Sequence, residues 1–160
     1  MQKLSSFLLV VLFLSGCSVK EQVISSSAYH IVIKNKKLKI SDTGFIQKRN
    51  NSQELQLFSS GTLILDLHVK KEQVCLGYGC VDRKSFNEEF FSYMHYDSLI
   101  DEILNFQPIY MHKNFTQTLD GFEQKIKDEN MDILYRVTHN SVYFKDSTNS
   151  ILIVLKRLEN

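Results

Sequence analysis

Three cysteines, five histidines and one acid–imidazole pair are the residues of this 160-residue chain that carry reactive chemistry. Cys17 follows Leu14-Ser15-Gly16 at the end of an apolar run. Cys75 and Cys80 flank Leu76-Gly77-Tyr78-Gly79, where two glycines let the backbone reverse at little steric cost. In an oxidising compartment such a pair is expected to form a disulfide, worth about 2 kcal/mol on the chain-entropy view. Four intervening residues, rather than two, argue against a thioredoxin-like redox site. A metal site would need further ligands, and His30, His68, His95, His112 and His139 show no paired spacing. Asp66 and His68 share a strand face as a base and its orienter would, although a solvated strand face is the simpler account. There is no nucleophile elbow, phosphate-binding glycine loop or helical histidine pair. The expectation is a protein without catalytic activity, metal or cofactor.

The first seventeen residues address the chain. Lys3 begins them, Phe7-Leu8-Leu9-Val10-Val11-Leu12-Phe13-Leu14 is unbroken apolar sequence, and Ser15 and Gly16 are small. That order is a secretory signal, with an apolar run too short for a stable bilayer span. Leu14-Ser15-Gly16-Cys17 resembles the bacterial lipobox, which implies removal of residues 1–16 and lipidation of Cys17. The alternative is an ordinary signal peptide with an incidental cysteine. One acyl chain holds a protein marginally, whereas several hold it durably, at ~0.8 kcal/mol per buried methylene. Ser18 stands where aspartate often marks inner-membrane retention, so the expected location is the outer membrane, facing the periplasm.

Lysine and arginine number 19 against 18 acidic residues. Removing residues 1–16 takes away Lys3 and no acid, which leaves the two signs equal. A balanced charge argues against nucleic acid, which requires a concentrated basic face. The expected partners are instead the membrane through the N-terminal lipid, acyl-chain or lipoprotein cargo, and other envelope proteins.

The elements that must position these groups follow from hydrophobic period. Residues 17–27, ending in a serine run, read as lipidated cysteine and tether, and residues 28–160 as a single periplasmic α+β domain. Tyr29, Ile31 and Ile33 alternate with polar or outward residues, as do Leu38 and Ile40, then Leu55 and Leu57. Leu63, Leu65, Leu67 and Val69 predict one strand face, opposed by Asp66, His68 and Lys70. Asp42-Thr43-Gly44, Asn50-Asn51-Ser52 and Ser59-Ser60-Gly61 supply turn chemistry. Ser85-Phe86-Asn87-Glu88 has the form of a capping box, with Phe86, Phe90 and Met94 at helical spacing. A second helix starts near Asp97 or Ser98, carries Leu99, Ile100, Ile103 and Leu104, and ends before Pro108. Strands return after Asp120-Gly121 through Phe122, Ile126, Ile133, Tyr135, Val137 and residues 151–155. Strands, two helices, then strands predict an antiparallel sheet with both helices packed on its apolar face.

Glu54-Leu55-Gln56-Leu57-Phe58-Ser59-Ser60-Gly61-Thr62-Leu63-Ile64-Leu65-Asp66-Leu67 resembles paired strands around a glycine-containing loop. Residues 98–109, with Leu99, Leu104 and Pro108, and the closing runs Gly121-Phe122-Glu123-Gln124, Asp132-Ile133-Leu134-Tyr135-Arg136-Val137 and Ile151-Leu152-Ile153-Val154-Leu155 extend the similarity. Their layout is similar to the family of the outer-membrane lipoprotein receptor LolB and the carrier LolA. The resemblance implies an open half-barrel, helices on its concave face, and binding of acyl chains or lipoproteins. It also places residues 58–64 near the family's exposed hydrophobic delivery loop. Expected lining residues are Leu55, Leu57, Leu63, Leu65, Leu67, Phe86, Phe90, Leu99, Ile103, Tyr135 and Ile153. If those residues fill a solid core instead, the chain reads as a structural or interaction module of a secretion or motility assembly.

Overall fold

The computed structural model describes residues 21–159. Residues 1–16 and Cys17 therefore lie outside the described residues. The fold is α+β. Six strands come first: β1 (Val23–Lys34), β2 (Lys39–Arg49), β3 (Ser52–Ser59), β4 (Thr62–Lys70), β5 (Gln73–Leu76) and β6 (Gly79–Asp82). Helices α1 (Arg83–Phe91) and α2 (Leu99–Leu104) and a short 3-10 turn at Tyr110–His112 follow. The chain ends with β7 (Phe115–Gln117), β8 (Gly121–Lys127), β9 (Asp132–Thr138), β10 (Ser141–Asp146) and β11 (Ile151–Arg157).

All eleven strands form one open antiparallel sheet, ordered β6-β5-β4-β3-β2-β1-β11-β10-β9-β8-β7. Each half of the chain is a meander, and the halves join where β1 pairs with β11, Ile31 opposite Leu155 and Ile33 opposite Ile153. The meander that begins at the centre ends at one edge, β6, while the second begins at the opposite edge, β7. The intervening chain therefore crosses the sheet, and it carries both helices with it. Short hairpin connections elsewhere leave no other segment available for that role.

Alternation along the strands puts Ile31, Leu57, Tyr135 and Phe144 on the covered face, each fully buried. From the helices, Phe86, Phe91, Leu99 and Ile103 meet them in one contiguous core. The Phe91 and Phe144 rings lie edge to face with centroids 5.9 Å apart, joining α1 to β10. In β11 the apolar run divides by parity: Ile151, Ile153 and Leu155 are buried, while Leu152 and Val154 are half-buried on the other face.

Several expectations change. β1 begins at Val23 and pairs with Arg49, so the last part of the expected 17–27 tether is sheet. Asp42-Thr43-Gly44 is not a turn; it lies within β2, with Gly44 between Tyr29 and Leu57. A Cβ on Gly44 would stand 2.2 Å from the Gln56 carbonyl oxygen, so glycine there permits close strand approach rather than reversal. Helix α1 starts one turn earlier than the expected capping box, because Asp82 accepts from the backbone N–H groups of Lys84 and Ser85, each at 3.0 Å. It ends at Phe91, leaving Met94 outside the helix and 58% exposed. Helix α2 begins after Ser98 and stops at Leu104, before Pro108.

Leu63 is the one expected core residue that faces out. Leu57 pairs with Leu65 while the adjacent Phe58 pairs with Leu63, so Ile64 is an extra residue in β4. Such a β-bulge reverses the parity of everything before it. Leu63 and Ile64 are each 43% exposed. Phe91→Ala should therefore lower unfolding free energy by about 3–5 kcal/mol, whereas Leu63→Ala should change it by less than about 0.5 kcal/mol. Urea denaturation of the two variants measures both values.

Candidate functional site

The candidate site is the interface between the sheet and the crossover above it. Leu55, Leu57, Leu65, Leu67, Tyr135 and Ile153 come from the sheet, and Phe86, Phe90, Leu99 and Ile103 from the helices. All ten belong to the same buried cluster, and none exceeds 5% exposure. Sequence reasoning did not assign a lining role to Phe91, Ile100 or Phe144, which are buried equally well. The Phe144 signal was its period-two partnership with Val142.

Buried polar side chains pin the crossover in place. Gln124 on β8 accepts from the Ile109 N–H at 2.8 Å and donates to the Ile109 and Lys113 carbonyls at 2.9 and 2.8 Å. The Asn87 amide donates to the His95 and Tyr96 carbonyls, both at 3.0 Å, closing the α1–α2 connection. Asn35, in the β1–β2 turn, donates to the Phe90 carbonyl at 3.0 Å. The Tyr135 hydroxyl, on the sheet, donates to the Gln107 carbonyl at 2.9 Å. Arg83 is 8% exposed, pairs with Asp101 at 2.6 Å and also donates to the Lys70, Lys71 and Asp97 carbonyls, so it ties α1 to α2 and to the β4–β5 turn. These bonds satisfy backbone carbonyls that the non-helical part of the crossover would otherwise bury without partners.

At one end of this interface a cleft of about 300 Å³ opens between α1, the β1–β2 turn and the β5–β6 hairpin. Its apolar walls include Leu38, Val74, Val81, Phe86 and Phe90, and Lys37 and Glu89 form a 2.5 Å ion pair at its rim. The hairpin wall is clipped by Cys75 and Cys80, which pair directly across β5 and β6 and are disulfide-bonded. Away from the interface, Leu63 and Ile64 are exposed beside the β3–β4 turn, Phe58 is opposite Leu63, and the exposed Phe45 of β2 lies against Phe58 at 6.0 Å between centroids.

On the outward face, Asp66 and His68 lie side by side, as alternation required. The structure adds Glu54, which is opposite His68 in the β3–β4 register. His68 Nε2 is 3.1 Å from Glu54 Oε1 and 3.2 Å from Asp66 Oδ1. Histidine spacing along the chain could not reveal this group, because its members come from two strands. The signal available was Glu54 occupying the polar parity of β3.

His95 is buried in the crossover, with Nδ1 2.5 Å from the Tyr110 hydroxyl and Nε2 without a hydrogen-bond partner. Burial pushes its pKa down to about 4, against opposing attraction from Asp146 and Asp128. Burial likewise raises the Tyr96 and Tyr135 hydroxyls above their ordinary range. Among the described residues no helix is long and apolar enough to cross a membrane. No protein-family model and no curated protein matches this chain.

A histidine held neutral in the fold makes stability pH-dependent. Between about pH 4 and the unfolded value near 6.5 the unfolded chain binds the extra proton. The stabilisation is therefore complete above pH 6.5 and declines as pH falls. Going from pH 7 to pH 5 should cost about 2 kcal/mol through His95. Urea titrations of the wild type and of His95→Phe at both pH values should show that increment only in the wild type.

Proposed function

We propose that this chain is a non-enzymatic, lipid-anchored protein of the outer membrane, facing the periplasm, that accommodates acyl chains or lipoproteins between its sheet and its helical crossover. In this reading residues 1–16 are the signal, Cys17 carries the lipid and a short segment after it leads directly into β1. The sheet is a LolB-like half-barrel with both helices on its concave side. The observation that carries the reading is the apolar face of an unclosed sheet covered, among the described residues, by two short helices of nine and six residues.

The energetics support exchange. An acyl chain entering such an interface replaces helix–sheet contacts with lipid–sheet contacts of the same apolar kind. The net cost is confined to the polar clamps and the displaced helix contacts, while each buried methylene returns ~0.8 kcal/mol. The apolar β3–β4 tip, with Leu63 and Ile64, is suited to touching a bilayer or a cargo acyl chain, and it stands where the resemblance places a delivery loop. A second reading, an interaction module of an envelope assembly such as a secretion or motility machine, is favoured by the close packing of the lining residues and by the same exposed tip.

Cys17→Ser tests both the anchor and the site on one protein. The variant should leave the membrane fraction, and after purification it should bind a fluorescent fatty acid saturably at one site. Retention in the membrane fraction contradicts the anchor. A soluble, folded variant that neither carries lipid nor takes up the probe contradicts the carrier reading and favours the interaction module.

A further inference from the structure

We infer that Glu54, Asp66 and His68 form a divalent-cation site on the outward face of β3 and β4, suited to zinc or a similar first-row ion. The site is separate from the sheet–helix interface and does not depend on what that interface binds. Two carboxylates and an imidazole supply a mixed oxygen and nitrogen donor set, and imidazole favours zinc, cobalt or nickel over calcium and magnesium.

Geometry carries the inference. A metal with ligands at ~2.0–2.1 Å has neighbouring donor atoms ~3.0 Å apart in octahedral and ~3.4 Å apart in tetrahedral arrangement. The distances from His68 Nε2 to Glu54 Oε1 and Asp66 Oδ1, 3.1 and 3.2 Å, fall between those edges. The donor atoms of all three residues lie within 4.8 Å of one another. The three side chains stand on regular strand positions, Glu54 opposite His68 and Gln56 opposite Asp66, so little ordering is needed to close them on an ion.

The surroundings are arranged as a ligand set requires. The Glu54 side chain is only 6% exposed on a face otherwise open to solvent, while Asp66 and His68 are 25% and 30% exposed and leave a route for the ion and its waters. Arg49 donates to Glu54 Oε2 at 2.7 Å, and its other terminal nitrogen donates to the Glu21 carbonyl, also at 2.7 Å. Gln56 donates to Glu54 Oε1 at 2.7 Å and to Asp66 Oδ1 at 3.4 Å. These partners fix the carboxylates as outer-shell groups do around bound metals. Arg49 balances one carboxylate, so one negative charge remains for the cation. On binding, Nε2 releases to solvent the proton it directs at the two carboxylates, its lone pair goes to the metal, and the neutral imidazole carries its remaining proton on Nδ1.

The test is a Co2+ titration of the metal-stripped full chain in detergent, followed by displacement with Zn2+. One equivalent of Co2+ should bind with a visible ligand-field band, Zn2+ should abolish the band, and Zn2+ should raise the thermal midpoint. His68→Ala and Asp66→Asn should each weaken binding at least about tenfold, and His139→Ala should leave it unchanged. Asp66→Asn decides the matter if His68→Ala fails to fold. A titration without a band or thermal shift overturns the site, as does binding that Asp66→Asn retains at full affinity.

Discussion

An antiparallel sheet with one apolar face cannot leave that face in water, and here a single crossover must cover it. The strand order puts β6 and β7 at opposite edges, so the chain between them has to traverse the whole sheet. Phe86, Phe90 and Phe91 from α1 and Leu99, Ile100, Ile103 and Leu104 from α2 fill the space above Leu55, Leu67 and Tyr135. Short helices suffice because their buried residues are aromatic or branched aliphatic apart from Arg83 and Asn87, whose polar groups are hydrogen-bonded. The cover is one connected segment of chain.

Two kinds of interaction hold that unit, and they differ in how easily they are exchanged. Apolar burial is non-directional and scales with the area removed from water. The clamps from Gln124, Asn87, Asn35, Tyr135 and Arg83 are directional, and each leaves a buried carbonyl without a partner if it is broken. Those clamps therefore add a directional requirement to the larger apolar burial that holds the cover. His95 lies among them as a group that burial disfavours charging, so acidic conditions lower stability through it.

The arrangement of strands and helices was legible because burial on one side imposes period two or period 3.6 on the sequence. It failed where a local device overrides the period. The extra residue at Ile64 sends Leu63 outward, although Leu63, Leu65, Leu67 and Val69 look like one face. Gly44 has the composition of a turn but is required by a close approach to β3. Asp82 outcompetes Ser85 as the helix cap because its carboxylate reaches two free N–H groups. The Glu54–Asp66–His68 group was illegible for another reason: cross-strand register, which brings Glu54 to His68, is a tertiary fact that spacing does not encode.

The proposed function requires the crossover to open independently of the sheet it protects. Native-state hydrogen exchange tests it most directly, residue by residue, without added lipid. Amides in α1 and α2 should exchange through a sub-global opening of clearly lower free energy than those of Ile31, Ile33, Leu55 and Leu57 in the central strands. If helix and sheet amides exchange with one common free energy equal to global unfolding, the cover and the sheet are a single unit and the account is wrong.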